Sequence, residues 1–196
     1  MTGVMSPARL SGMEDDTLLI IVSGASAAIN VPTYLQWLGQ EIDLGLRLLL
    51  TSSAERFLHR QVAAWIADEV FTSDDPGLKP IALARQALGI VVLPATANIL
   101  ASAALGLAAT PAQTALLASE RPALFFPSMN ASMLNKESTQ RHIATLRADG
   151  HTVVELAHGT SYDMSQREIT LGPVMQPPDQ AVETIIKWLD DRVNGG

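Results

Sequence analysis

The sequence predicts an α/β fold, a three-layer α/β/α sandwich around a parallel sheet of about six strands. Short apolar runs recur along the chain, several of them apolar at every position, as strands buried on both faces require. Helix-length segments separate these runs, and alternating β and α elements close into a layered sandwich. The 196 residues, 47% of them hydrophobic, suffice for one domain whose core needs neither disulfide nor metal.

The elements follow in order. Residues 1–16, MTGVMSPARLSGMEDD, are polar and end in acids, so they lack the apolar segment of a signal peptide and read as a flexible leader to a single domain at 17–196. The strand-length runs are Thr17–Val22, Arg47–Leu50, Glu69–Phe71, Gly89–Leu93, Ala123–Phe126 and Thr152–Glu155. Between them lie the helical segments Ala27–Gly39, Asn98–Gly106, Pro111–Ser119 and Ala131–Ala148. A last helix, Pro178–Val193, places Val182, Ile185, Ile186 and Leu189 at helical spacing, with Pro178 near its start and Gly195 past its end. Gln86–Ser119 contains no charged residue. Pro94, Asn98, Gly106 and Pro111 break that span into pieces well short of the ~20 residues a membrane helix needs, so it reads as interior or subunit interface.

Charged residues make up 17% of the chain, below the ~25% of an average soluble protein. A net charge of −7 disfavours nucleic acid and anionic membrane as partners. With no cysteine, the chain has no disulfide, no thiolate nucleophile and no Cys-ligated zinc, and no metal site is read from its motifs. A cytoplasmic location is expected.

A parallel sheet of this kind binds ligands beyond the carboxyl ends of its strands, so the loops there are where chemistry belongs. After the first strand, Val22-Ser23-Gly24-Ala25-Ser26-Ala27-Ala28 brings small residues to a strand-to-helix turn, where backbone N–H groups can approach a phosphate. After the second, Thr51-Ser52-Ser53-Ala54 adds hydroxyls, although Ser and Thr are also plain N-caps. The fourth strand leads into Pro94-Ala95-Thr96-Ala97-Asn98-Ile99, and the fifth into Pro127-Ser128-Met129-Asn130-Ala131-Ser132-Met133-Leu134. Each Asn stands where a helix begins and reads singly as an N-cap. Together they would face one crevice with uncharged amides, which suits a neutral heterocycle or a carboxylate. Met129 and Met133, four apart, can pack on a flat ring or fill a core.

These two loops resemble the PASANT and PxMNxxMW signatures of the homo-oligomeric flavin-containing cysteine decarboxylases. The likeness is to the lanthipeptide peptidyl-cysteine decarboxylases above all, and runs from Leu18 to about Pro178. Ile99 stands for the terminal Thr of the first signature and Leu134 for the Trp of the second. The resemblance implies a Rossmann-like or flavodoxin-like fold with FMN or FAD at a subunit interface of a trimer or dodecamer. It implies that Gly24, Ser26, Thr51 and Ser53 hold the phosphate and that Pro94, Thr96 and Asn98 line the flavin ring. By the same resemblance Asn130 would grip the carboxylate of a precursor peptide's C-terminal cysteine, beside Met129 and Met133, and residues 158–178 would form a flap that clamps the peptide. The implied reaction oxidises the cysteine to a thioaldehyde, which loses CO2 and leaves an enethiol, in lantibiotic-type natural-product biosynthesis. The related phosphopantothenoylcysteine decarboxylases carry a flap cysteine that helps return the enethiol to a saturated thiol; His158-Gly159-Thr160-Ser161-Tyr162-Asp163-Met164 has none.

One departure concerns the chemistry. Pro80 occupies the position of the family's catalytic His. His158, or Lys79 acting through its charge, is the candidate to favour the thiolate of the substrate; His59, His142 and His151 read as surface or turn residues. Two alternatives stay open: a non-catalytic flavoprotein or regulatory subunit of the same fold, and a flavodoxin-like electron carrier.

Overall fold

A computed structural model describes residues 17–163 and 167–193; the leader and Met164 of the flap lie outside them. The elements in chain order are β1 Thr17–Val22, α1 Val31–Glu41, β2 Gly45–Leu50, α2 Arg60–Ala63, β3 Glu69–Thr72 and α3 Pro80–Gln86. They continue with β4 Ala87–Ala95, α4 Ala97–Ala104, α5 Pro111–Ala118, β5 Leu124–Pro127, α6 Ala131–Leu134 and α7 Glu137–Ala148. The chain closes with β6 Thr152–Val153, β7 Ala157–Asp163, β8 Glu168–Val174 and α8 Pro178–Val193. Six strands form the parallel sheet in the order β3-β2-β1-β4-β5-β6.

The apolar runs make this a three-layer structure, because successive strand residues face opposite sides. Leu18, Ile20 and Val22 of β1 join Val31, Leu35 and Leu38 of α1 and Ile185 and Leu189 of α8 in one core. Leu19 and Ile21 join Leu83 of α3, Ile99 and Leu100 of α4, Leu116 of α5 and Leu146 of α7 in the other. The close approach of α8 depends on Gly89 in β4: a Cβ there would lie 2.6 Å from the Trp188 ring.

Four details differ from the sequence expectation. The first helical segment opens as a 3-10 turn, Ser26–Asn30, and becomes α-helical at Val31. Two helices, α2 and α3, were not anticipated; Pro80, whose missing N–H costs nothing at a first helical position, opens α3. The segment Ala131–Ala148 is two helices, because Lys136 turns extended (φ −66°, ψ 135°) and the Gln140 amide donates to the carbonyl of Leu134 at the end of α6. The flap is a two-stranded antiparallel hairpin, β7–β8, forming a sheet of its own. Among the described residues no helix is long and apolar enough to cross a membrane.

Candidate functional site

Reading the sheet from its middle, the chain order reverses between β1 and β4, and the connections diverge there to leave a crevice at the carboxyl ends. Ser23, directly after β1 and only 2% exposed, ties the two sides together. Its Oγ donates to the Pro94 carbonyl (2.8 Å) and accepts from the Thr96 N–H (2.9 Å), while its own N–H also donates to Pro94 O. The Thr96 hydroxyl lies 3.2 Å from Ser23 Oγ and caps α4 by accepting from Ile99 N–H. Thr96 is therefore the N-cap and Asn98 is not, which corrects the reading of Asn98 as a cap. Asn98 sits exposed one residue inside the helix, and its carbonyl accepts from Ser102 Oγ (2.8 Å). Pro94 itself is buried.

The β1 and β2 loops meet at Gly24, where a Cβ would fall 2.5 Å from both Cβ and Oγ of Ser53. Only glycine allows that approach. Thr51 Oγ1 and Ser53 Oγ lie 3.2 Å apart, Thr51 Oγ1 accepts from Ala54 N–H, and Ser26 is exposed. The N–H groups of Ser52 and Ser53 find no acceptor among the described residues. Hydroxyls and unused amides with no acid among them make a cradle suited to a phosphate.

The β5 loop joins this crevice through Ser128 N–H, which donates to Ala95 O (2.8 Å). Asn130 caps α6: its Oδ1 accepts from Met133 N–H and from Ser132 Oγ, both at 2.9 Å. That bond fixes the amide orientation and leaves Nδ2, a donor on an exposed residue, with no hydrogen bond among the described residues. Met129 packs against the core, whereas Met133 is 44% exposed.

Lys79 and His158 are not brought together. Lys79 is the exposed N-terminal flanking residue of α3. His158 lies at the foot of the hairpin opposite Pro173, lining a cavity with Pro127. His59 caps α2 through Nδ1, and His151 accepts the Ala123 N–H (2.8 Å) with its ring edge-on to Phe125, so neither serves the crevice. The hairpin carries His158, Thr160, Tyr162, Ile169, Leu171 and Pro173 on one face by its register, and Ile169 and Leu171 are 75% and 71% exposed.

Two contributors escaped the sequence reading. Ser23 is one; its only signal is a hydroxyl ending an apolar run just before glycine. Tyr34 of α1 is the other: its hydroxyl donates to Gln176 O (2.6 Å), just after β8, and Gln176 Oε1 accepts from Thr184 of α8. Burial, with the nearby Asp179 charge, pushes the Tyr34 hydroxyl up to about 12.

The sequence matches the Flavoprotein family model over residues 8–190. It is 28% identical over 186 residues to mersacidin decarboxylase of Bacillus sp. (strain HIL-Y85/54728), covering 93% of this chain and 95% of that one. It is 33% identical over 146 residues to a probable phosphopantothenoylcysteine decarboxylase of Streptococcus mutans serotype c, covering 70% and 81%. The fold is similar to the crystal structure of the FMN-dependent cysteine decarboxylase SpaF, with a TM-score of 0.73 at 28% identity over 89% of this chain and 97% of that one.

Proposed function

Because this chain belongs to the Flavoprotein family, we propose that it is a flavin-dependent peptidyl-cysteine decarboxylase, acting on the C-terminal cysteine of a ribosomally made precursor peptide in lantibiotic-type biosynthesis. The near full-length likeness to a mersacidin decarboxylase supports this reading, and the FMN-dependent fold relative favours FMN over FAD. The observation that carries it is the exposed Asn130, whose Oδ1 is taken up by the α6 cap and whose Nδ2 is left to donate elsewhere.

Gly24, Ser26, Thr51 and Ser53 hold the cofactor phosphate in the cradle where the first two loops touch. Pro94, Thr96 and Asn98 border the ring. A bound flavin supplies the two-electron oxidation of the cysteine. Asn130 Nδ2 donates to the peptide carboxylate and holds it over the crevice, so that position rather than acid–base strength is its contribution. Met129 walls the same loop and Met133 reaches the peptide from α6. A free thiol ionises near ~8.5, and His158, on the hairpin foot that shares a cavity wall with Pro127, is the group that favours the thiolate, with Lys79 acting through its charge as the alternative. The chain has no cysteine and so lacks the flap thiol that assists the reductive return, and the enethiol is released.

The working form is a homo-oligomer, a trimer or a dodecamer. Leu105, Leu107 and Leu117 are 63%, 47% and 58% exposed on the charge-free α4–α5 surface, which an adjoining copy would cover.

The test is direct. Purified protein absorbing near ~450 nm, mixed with a peptide ending in Cys, removes CO2 and two hydrogens, a loss of about 46 mass units. Asn130→Ala abolishes that loss while keeping the flavin absorbance. A yellow protein that leaves every such peptide unchanged would overturn the enzyme reading in favour of a regulatory flavoprotein.

A further inference from the structure

The hairpin forms a sheet of its own, so its two legs decide where it stands relative to the crevice. The β7 leg leaves the central sheet at Val154, whose N–H donates to Phe125 O (2.9 Å). Arg147 steadies that leg by donating to Val153 O (3.0 Å) and pairing with Glu155. The β8 leg is a joint of three residues, Met175, Gln176 and Pro177, between β8 and α8. Pro177 and Pro178 fix their own φ angles, and Met175 packs against the core that α1 and α8 share. A long-range bond arrives at Gln176, whose carbonyl accepts from the Tyr34 hydroxyl at 2.6 Å, across 142 positions of sequence.

Tyr34 is 7% exposed, and burial with the Asp179 charge keeps its hydroxyl protonated and therefore a donor. It stands on the first turn of α1, the helix that continues from the 3-10 turn Ser26–Asn30. That turn begins at the proposed phosphate cradle. One continuous helical segment thus borders the cradle at its start and holds the foot of the hairpin through Tyr34. The leverage is large. Each strand of the hairpin has seven residues, roughly 20 Å at ~3.4 Å per residue. A small swing at the foot therefore becomes a long displacement towards the exposed Ile169 and Leu171.

We propose that Tyr34 is a positioning residue for the peptide: its bond to Gln176 aims the hairpin over the crevice, where Ile169 and Leu171 close on the chain ahead of the terminal cysteine. Tyr34 acts through the hairpin and not by contact with peptide or flavin. The assignment rests on the decarboxylase reading above and adds to it what holds the clamp in register with the cofactor.

The test uses the flavin-loaded protein and a panel of hexapeptides ending in Cys, with the same panel ending in Ser as unreactive twins. Tyr34→Phe raises KM for the best Cys-terminated peptide roughly fivefold, the worth of one neutral hydrogen bond. Its kcat and flavin absorbance stay unchanged, which damage to the crevice would not allow. Ile169→Ser with Leu171→Ser, a double change on the exposed hairpin face, removes what the hairpin closes with. In that background Tyr34→Phe adds nothing to KM, because effects that run through one element do not add. The Ser-terminated panel, read by equilibrium binding, loses affinity in Tyr34→Phe by the same factor. An unchanged KM in Tyr34→Phe, a fall in kcat in place of the rise in KM, or an effect that persists whole in the hairpin-face background overturns the positioning role. Should the unmodified protein turn over no Cys-terminated peptide, the decarboxylase reading fails. The Ser-terminated affinities then decide Tyr34 separately, equal or absent binding in the two proteins overturning it.

Discussion

The crevice and the hairpin stand at the same end of the sheet and are built on opposite plans. Around the crevice, the groups that shape it are buried or locked: Ser23 is 2% exposed and makes hydrogen bonds to both Pro94 and Thr96, and Gly24 touches Ser53 with no room for a Cβ. The hairpin pairs only with itself and offers Tyr162, Ile169 and Leu171 to solvent, each more than half exposed. The lesson is a division of labour. On the proposed reading, a cofactor that stays in place would be met by a preformed cradle, and a passing peptide by apolar surface that completes its burial only when something lies under it.

Three substitutions sharpen that contrast, in falling order of effect. Gly24→Ala forces a Cβ against Ser53 and is expected to cost about 1–3 kcal/mol. The same energy taken from the cradle lowers flavin affinity by roughly tenfold to 100-fold, read as flavin lost on dialysis. Ser23→Ala leaves the Thr96 N–H without its acceptor, costing about 1–3 kcal/mol, which lowers Tm by about 2–4 °C per kcal/mol in a chain of this size. Ser23→Thr, which keeps the hydroxyl, restores it. If either crevice variant kept full flavin content and stability, the claim of a rigid cradle would be broken. Tyr34→Phe is the mildest, about 1 kcal/mol for one hydrogen bond. Its effect falls on the hairpin, as faster proteolysis within β7 and β8 with flavin content unchanged.

The same tyrosine gives a pH dependence. Its hydroxyl titrates at about 12 in the folded chain against an ordinary 10.0, so the protonated form is favoured by folding. The stability this contributes is whole below pH 10 and is lost as pH rises through 12. Urea midpoints across that range fall for the unmodified protein and fall less for Tyr34→Phe; identical slopes would remove Tyr34 from the account.

The strands were legible because burial on two faces leaves a continuous apolar run, and all six lie where the runs place them, although β6 shrinks to two residues. The loops after β1, β2, β4 and β5 were legible because small residues and hydroxyls cluster where strands end. What was not legible depends on partners distant in sequence. Thr96 rather than Asn98 caps α4 because its hydroxyl is fixed by Ser23, 73 residues earlier. The break between α6 and α7 follows from Gln140 turning back to Leu134. The hairpin has little of the alternation that marks a half-buried strand, since both its faces are largely free of the core. Asn130 was read both as a cap and as a carboxylate ligand; its Oδ1 makes the cap, which frees Nδ2 for the proposed second task.

The shortness of the two outermost strands has a consequence for how copies of this chain can meet. At one margin of the sheet β6 offers two residues, and at the other β3 offers four, with the exposed carboxylate of Glu69 paired to Arg47. Neither margin is a template long enough to recruit a foreign strand, and charge at a margin further discourages it. Growth by strand addition at the central sheet is therefore discouraged, which leaves the helix faces that flank it as the surfaces where copies can meet.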